Sequence, residues 1–239
     1  AMIIGLVVAR RSSKGFVGKN IAKVAGKECW KHTLAAARFA TSLNKVVIST
    51  DEPSITGSAS TGLQGLLFDR VIARPAELCK DDSHIMDAVQ HAHQECVKEW
   101  PDICAMVLLY ANVPYRPRDI IDACVKKLQQ SRADSCFSLT STGKHCPEWM
   151  FELDSDSRLK PVYPSGTYRR QDLPARYIHD GGAVVMSRDV LEGKVRGTGL
   201  YARFGHRLVG VVSKGAIEVD AEEDIALAEW RIARMGEMS

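Results

Sequence analysis

The feature that most constrains this chain is a rhythm: short apolar, β-branched runs alternate with segments of helical periodicity through its first half. Ile3 to Ala9 is a continuous apolar run, followed by a polar, glycine-containing loop to Asn20. Cys29 to Thr41 reads as a helix and Lys45 to Ser49 as a second strand. A short helix after Pro53 leads to a weaker strand at Val71-Ile72-Ala73. His84 to Glu99 reads as a helix and Ile103 to Leu109 as a strong strand. Pro117 to Gln130 reads as a helix opened by proline, a favoured first-turn residue, and Ser135 to Leu139 as a further strand. Strand–helix alternation implies βαβ crossovers. Strands that are apolar throughout belong to a sheet covered on both faces. The expected class is α/β, three layers around a mostly parallel central sheet.

The rhythm breaks after about Thr140. Residues 141–180 are rich in Pro, Arg, Asp and Tyr and read as an irregular lobe or a pair of extended hairpins. Strand signals return at Ala183 to Met186 and at Leu208 to Val212, and Ala221 to Met235 reads as a closing helix. The 239 residues suit one α/β domain over 3–235, with an inserted lobe at about 141–180, better than two independent domains.

Composition removes several function classes. No apolar run approaches the roughly 20 residues that span a bilayer. The opening run lacks a basic segment before it and a small-residue cleavage site after it, so it reads as a first strand and not a signal peptide, with Ala1-Met2 as an expression remnant. A net charge of +3, without a basic block, gives no footprint for nucleic acid. Seven cysteines, odd in number and with no CxxC pair, fit neither a zinc site nor a disulfide scaffold. They read as reduced, mostly buried thiols of a cytoplasmic protein.

In an open α/β sheet, ligands bind beyond the carboxyl ends of the strands. The loop there reads Ala9-Arg10-Arg11-Ser12-Ser13-Lys14-Gly15-Phe16-Val17-Gly18-Lys19-Asn20. Its cations and two glycines suit a polyphosphate, because glycine lets backbone amides approach the anion while the cations offset its charge. The spacing is neither a Walker loop nor GxGxxG; a solvated basic turn is the plainer alternative. Near the other end, Glu218 and Asp220 stand two apart on a strand-like segment, which puts both carboxylates on one face. They could share a hard cation such as Mg²⁺, which takes few carboxylates together with waters and substrate phosphates. The alternative is an acidic first turn, since Asp220, Glu222, Glu223 and Asp224 precede an apolar helical run. His91 and His93 fall on different helix faces and form no metal pair. His84 and His179 border the expected site, and Trp100, Trp149 and Trp230 read as packing residues.

Five segments in order resemble the N-acylneuraminate cytidylyltransferases. Ala9, Arg10, Ser13, Lys14, Gly15, Lys19 and Asn20 match their A-R-G-G-S-K-G-x-P-x-K-N loop. Val47 to Asp51 is similar to their V-V-S-T-D strand end, and Arg74-Pro75-Ala76-Glu77-Leu78 with Asp81-Asp82-Ser83 to their R-P-x-x-L-A-x-D-x-S segment. Arg170-Gln171-Asp172-Leu173-Pro174 is similar to R-Q-x-L-P, and Ile217-Glu218-Val219-Asp220 to I-D-I-D. Three departures cluster on the sugar side. Tyr110 stands for a glutamine, in Leu108-Leu109-Tyr110-Ala111-Asn112-Val113-Pro114-Tyr115-Arg116 against L-L-Q-P-T-S-P-L-R. Asp180-Gly181-Gly182-Ala183 replaces P-N-G-A, so Gly181 stands for an asparagine, and Glu218 replaces the first aspartate of the metal pair.

The resemblance implies a Rossmann-like nucleotidyltransferase fold with a small inserted dimerisation lobe, and CMP transfer from CTP to an acidic sugar in a homodimer. Arg10, Lys14 and Lys19 would hold the triphosphate with Ala9, Gly15 and Asn20, and Lys19 would stabilise the transition state. Arg74, Pro75, Asp82 and Ser83 would serve the cytidine, although Asp81, Asp82 and Ser83 equally suit caps for the next helix. Tyr110, Arg116, Arg169, Arg170, Gln171 and Gly181 would face the sugar. The Arg169-Arg170 pair suits a substrate carboxylate or a dimer interface. Asp220, with Glu218, would hold Mg²⁺. Catalytic roles fall to Arg10, Lys19 and Asp220. Two other readings stay open: a nucleotidyltransferase for a sugar phosphate, and an inactive nucleotide or sugar binder.

Overall fold

The structure is a computed structural model describing residues 1–11, 15–60, 68–164 and 166–237. Lys14 of the expected phosphate loop lies outside the described residues. Seven strands form the central sheet: β1 (Met2–Ala9), β4 (Lys45–Thr50), β5 (Arg70–Ala73), β6 (Ile103–Tyr110), β7 (Ser135–Ser141), β10 (Tyr177–Ser187) and β11 (Leu208–Val212). Their order is β11-β7-β10-β6-β1-β4-β5. All run parallel except β10, which pairs antiparallel with both β6 and β7.

Alternation along each strand builds two cores, as a sheet buried on both faces requires. On one face Ile3 and Val7 of β1, Val46 and Ile48 of β4 and Val107 and Leu109 of β6 pack against α1 (Cys29–Phe39) and α4 (Ile120–Ser131). On the other, Ile4, Leu6, Val47, Met106 and Leu108 pack against α3 (Ile85–Val97) and α5 (Arg188–Leu191). A third, smaller cluster places Ala228 of α6 (Glu222–Glu237) against Val24, Cys29, Tyr115, Ile217 and Val219. Val24 belongs to a short hairpin, β2 (Lys23–Val24) with β3 (Lys27–Glu28), that links the basic loop to α1. No described helix is long and apolar enough to cross a membrane. None of the seven cysteines is in a disulfide, and six are buried.

The structure revises the boundary of α4. Its first residue is Ile120, not Pro117, with Asp119 before it in the left-handed region at φ 63°. Arg116 is anchored in the core just ahead of Pro117, so the chain makes a turn, Ile120 N–H to Pro117 O at 3.3 Å, before helix begins. The lobe between β7 and β10 carries one small hairpin, β8 (Phe151–Leu153) with β9 (Leu159–Pro161), and short 3-10 turns at Pro147–Trp149 and Arg170–Asp172. The sequence signals missed the 3-10 segment Gly199–Phe204, whose Phe204 enters the second core. They also missed the start of β10, at Tyr177 rather than Ala183, because the strand's register shifts between His179 and Val184 and its apolar pattern is interrupted there.

Candidate active site

In the sheet order, β4 and β6 flank β1 on opposite sides, so the chain's crossovers leave a crevice at the carboxyl ends of β1 and β6. From β1 the chain runs into the basic loop. Asn20 ties the loop's exit to its entry, its Nδ2 donating to Arg10 O at 2.8 Å. Gly18, at φ 74°, makes the turn in which Ile21 and Ala22 N–H both donate to Gly18 O at 2.9 Å. From β6, Ala111 N–H donates to Val8 O at 3.1 Å, which holds the two strand ends together. The segment Ile217–Asp220 is then laid along Asn112–Tyr115: Ile217 N–H donates to Tyr115 O (3.0 Å) and Val219 N–H to Asn112 O (2.8 Å).

This register delivers both predicted carboxylates to the crevice. Asn112 Nδ2 lies 3.1 Å from Glu218 Oε1, 3.1 Å from Val219 O and 3.5 Å from Asp220 Oδ1, so one amide organises the pair. Lys19 Nζ donates to Asp220 Oδ1 at 2.7 Å. Gly15 comes close as well: a Cβ on it would stand 3.7 Å from Asp220 O. Asp224 Oδ2 accepts from the N–H of Asp220 and of Ala221, both at 2.9 Å, serving the start of α6 and leaving the Asp220 carboxylate to the crevice.

The nucleotide-side residues follow the same edge. Arg10 pairs with Asp81 at 3.1 Å and donates to Lys80 O. Arg11 N–H donates to Asp51 Oδ1 at 2.7 Å, joining the loop to the end of β4. Arg74 is buried, with its Nε and Nη2 donating to Ser49 Oγ and Ser49 O. Burial lowers its pKa, partly countered by nearby Asp51. Its observed work is to clamp the ends of β4 and β5. Pro75 O accepts the N–H that closes the turn Ala76–Leu78, and Ser83 Oγ donates to Glu77 O at 2.8 Å. Asp82 is exposed. The cap of α3 is neither aspartate nor Ser83 but His84, whose Nδ1 accepts from Met86 N–H at 3.1 Å.

Of the residues expected to face the sugar, Tyr110 and Gly181 stand near Glu218. The Tyr110 phenol is pushed up to about 12, mainly by burial and then by the Glu218 charge. Arg116 is a correction. It is buried, and its guanidinium donates to Gly182 O (2.7 Å), Thr33 Oγ1 (2.8 Å), Val113 O (2.6 Å) and Tyr110 O (2.8 Å). These bonds leave it no outward-facing fork for a sugar; it joins the ends of β6 and β10 to α1. Arg169, Arg170 and Gln171 are also separate from the crevice. They are exposed and line a groove in the lobe with Trp149, Tyr163 and Tyr168, which includes none of Tyr110, Gly181, Glu218 or Asp220.

Sequence reasoning passed over three contributors. Asn112 was visible only as part of a departing motif. Asp180 holds the irregular stretch of β10. An aromatic wall beside Tyr110 joins His179, Phe137, Tyr201 and Phe204, with Phe137 edge-on to the other three at 5.2–5.5 Å. No periodic signal marks Gly199–Phe204, which supplies two of these rings.

Among the described residues, no three His, Cys, Asp or Glu side chains converge to cage a metal. The donor set present, one or two carboxylates open to solvent beside a basic, glycine-containing loop, suits Mg²⁺, which takes most of its ligands from phosphate and water.

Residues 4–181 match a family model described as cytidylyltransferase. The N-acylneuraminate cytidylyltransferase of Oncorhynchus mykiss is 26% identical over 238 residues, which is 98% of this chain and 51% of that protein. That of Streptococcus agalactiae serotype III (strain NEM316) is 25% identical over 191 residues, 78% of this chain and 43% of its own length. This chain thus spans about half the length of these curated relatives. Among solved structures, CMP:2-keto-3-deoxy-manno-octonic acid synthetase complexed with CTP superposes with a TM-score of 0.68 at 14% identity, covering 98% of this chain and 100% of that one. The 4-diphosphocytidyl-2C-methyl-D-erythritol synthase of Anaerococcus prevotii gives 0.62 at 13%, covering 98% and 96%. At those identities the likeness is one of fold. With the family model matched from strand β1 to the turn beside Glu218, the chain belongs to the cytidylyltransferase family.

Proposed function

We propose that this protein transfers CMP from CTP to the anomeric hydroxyl of a nonulosonic or related 2-keto-3-deoxy sugar acid. The supporting observation is the Lys19–Asp220–Asn112–Glu218 cluster, which sets a cation and two carboxylates at the crevice where the basic loop leaves β1. In the reaction the anomeric oxygen forms a bond to the α-phosphorus, the bond from that phosphorus to the bridging oxygen breaks, and diphosphate leaves. The hydroxyl proton passes to solvent or a nearby base. Such displacements depend on positioning and on neutralising charge along the transferred group. Lys19 and Arg10 turn to the triphosphate, and Asp220 is the carboxylate that would hold Mg²⁺. When bound, Mg²⁺ neutralises phosphate charge as a Lewis acid. Arg74, Pro75, Asp82 and Ser83 border the cytidine.

The assembly is a homodimer formed through the lobe. Phe151, Leu153, Leu159, Tyr163 and Tyr168 all stand exposed there, apolar side chains of the kind that mark an interaction surface when grouped. The partner's copy of the groove brings Arg169, Arg170 and Gln171 to the acceptor's carboxylate. Seven cysteines, none in a disulfide, fit a reducing, cytoplasmic setting.

Diphosphate release with Mg²⁺, each of the four NTPs and a panel of 2-keto-3-deoxy acids tests the reading. Release with CTP and an acid, lost in Lys19→Ala and Asp220→Ala, is the expected result. Release only with a sugar phosphate or a polyol phosphate would replace the acceptor class. CTP binding without release in any combination would leave a binder.

A further inference from the structure

The two carboxylates of Ile217-Glu218-Val219-Asp220 share Asn112 but otherwise face different partners. Asp220 is turned to Lys19 and the phosphate loop. Glu218 gives Oε1 to Asn112 and directs Oε2 at Gly181. A Cβ at Gly181 would stand 3.3 Å from Glu218 Oε2 and 3.5 Å from Val113 Cγ2, tight enough that a neighbour must yield. Gly181 is also at φ 73°, where β-carbons are disfavoured.

The turn that presents Gly181 is built firmly. Asp180 Oδ1 accepts from Ser138 Oγ (2.5 Å) and Gly182 N–H (3.0 Å), while Oδ2 accepts from Ala216 N–H (3.0 Å) and Ser213 Oγ (3.4 Å). Ser138 Oγ in turn accepts from Ala183 N–H at 2.8 Å. Because this network fixes the backbone, the space above Gly181 is a designed gap and the Glu218 carboxylate is what occupies it. Tyr110 is close enough to Glu218 for the glutamate's charge to act on its phenol.

Resting on the transferase reading for its acceptor half, we propose that Glu218 is the residue that selects the acceptor and not a metal ligand. Its Oε2 accepts from a hydrogen-bond donor, a hydroxyl or an ammonium, on the sugar face lying against Gly181. A fixed carboxylate attracts such a donor and repels an acyl carbonyl, which brings only lone pairs to the same place. The acceptor class is therefore a sugar acid that is unacylated on that face. The bare Gly181 is needed because a side chain there would contest the space of the glutamate.

The test has two arms. Mn²⁺ is titrated into the CTP complex of wild type, Glu218→Gln and Asp220→Asn, followed by its paramagnetic signal. We expect Glu218→Gln to stay within about twofold of wild type and Asp220→Asn to lose about tenfold or more, as removal of a ligand does. A tenfold loss in Glu218→Gln overturns the inference whatever the acceptor. In the second arm, acids in matched hydroxyl, amine and N-acyl forms are assayed by diphosphate release. Wild type should favour a donor form by about tenfold or more, and Glu218→Gln should erase that preference with KM for CTP unchanged. Gly181→Asn should lose turnover and Gly181→Asn/Glu218→Asp should regain it with a different acceptor ranking. Equal use of donor and acylated forms overturns the selectivity. No turnover with any acid, with Mn²⁺ affinity retained in Glu218→Gln, overturns the transferase reading and the acceptor half with it.

Discussion

Lys19 Nζ and Asp220 Oδ1 meet at 2.7 Å across 201 residues of sequence, joining the loop after the first strand to the segment before the last helix. Without nucleotide, each charge serves as the other's counter-ion. Asp220 is 61% exposed, so the pair sits in a solvent-screened setting where such bridges contribute about 0–1 kcal/mol. Separating them therefore costs little, and in the proposed reaction a triphosphate with its cation would give each a stronger partner.

The consequence is a clean division between folding and activity. Lys19→Ala should leave the melting temperature within about 2 °C, the shift that loss of one weak surface pair produces in a chain of this size. Its kcat/KM for CMP transfer should fall about 10²–10³-fold, the usual effect of removing one preorganised charge-stabilising group. Paired thermal melts and diphosphate-release kinetics check both halves. A large loss of stability would show that the bridge is mainly structural.

Arg116 should behave in the opposite way. Burial lowers its pKa to about 9, with Asp180 and Glu218 supporting the charge, so it stays protonated at neutral pH while donating four hydrogen bonds to groups of the core. Arg116→Met leaves three buried carbonyls and the Thr33 hydroxyl without that donor and should destabilise by about 3–5 kcal/mol. The midpoint of urea unfolding reads this directly.

These two residues also show what the sequence could tell and what it could not. Both were marked as site residues by their motifs, and both lie near the crevice. Lys19 follows a glycine turn at the end of a strand, a local pattern that fixes its position. Whether Arg116 faces substrate or core depends on carbonyls contributed by residues 6, 3 and 66 positions away, which a linear pattern does not encode. The parallel sheet was legible because continuous apolar strands can only be buried on both faces. Strand β10 was half legible: its apolar end is visible at Ala183–Met186, while Tyr177–His179 is held by its ladder to β7 and Gly181–Gly182 by Asp180 bonds, neither of which leaves an apolar pattern. The closeness of Gly181 to Glu218 arises only from three-dimensional register.

Histidine should give the protein an acid-sensitive stability. His93 is 4% exposed with Nε2 unpartnered, beside Gln90, Gln94, Arg188 and Glu192, and burial lowers its pKa. His84 is lowered too, by burial and then by Arg203. Groups depressed in the folded state take up fewer protons than in the unfolded chain, so stability falls as pH drops through the unfolded value of about 6.5. Melting temperatures taken at pH 7.5, 6.5 and 5.5 should decline in that order. His93→Leu, which removes an unpaired polar atom, should flatten the decline, with His84 supplying what remains. An unchanged slope would assign the effect to other groups.

The separation of Arg169 and Arg170 from the crevice leads to a test of the assembly. Within one chain they line the lobe groove with exposed aromatics, away from Lys19, Asp220 and Glu218. If the dimer brings them to the partner's acceptor, a site is built from the loop of one copy and the lobe of the other. Arg170→Ala and Lys19→Ala homodimers should each be nearly inactive. In a heterodimer of the two, one site carries both substitutions and the other carries neither. Equal mixing after reversible dissociation should therefore restore about a quarter of wild-type activity, since about half of the dimers are mixed and each has one intact site. Leu153→Glu/Leu159→Glu, which charges the apolar hairpin, should yield monomers by sedimentation and abolish that recovery. Arg170 acting within its own chain predicts no recovery on mixing, because every site would then retain one of the two substitutions.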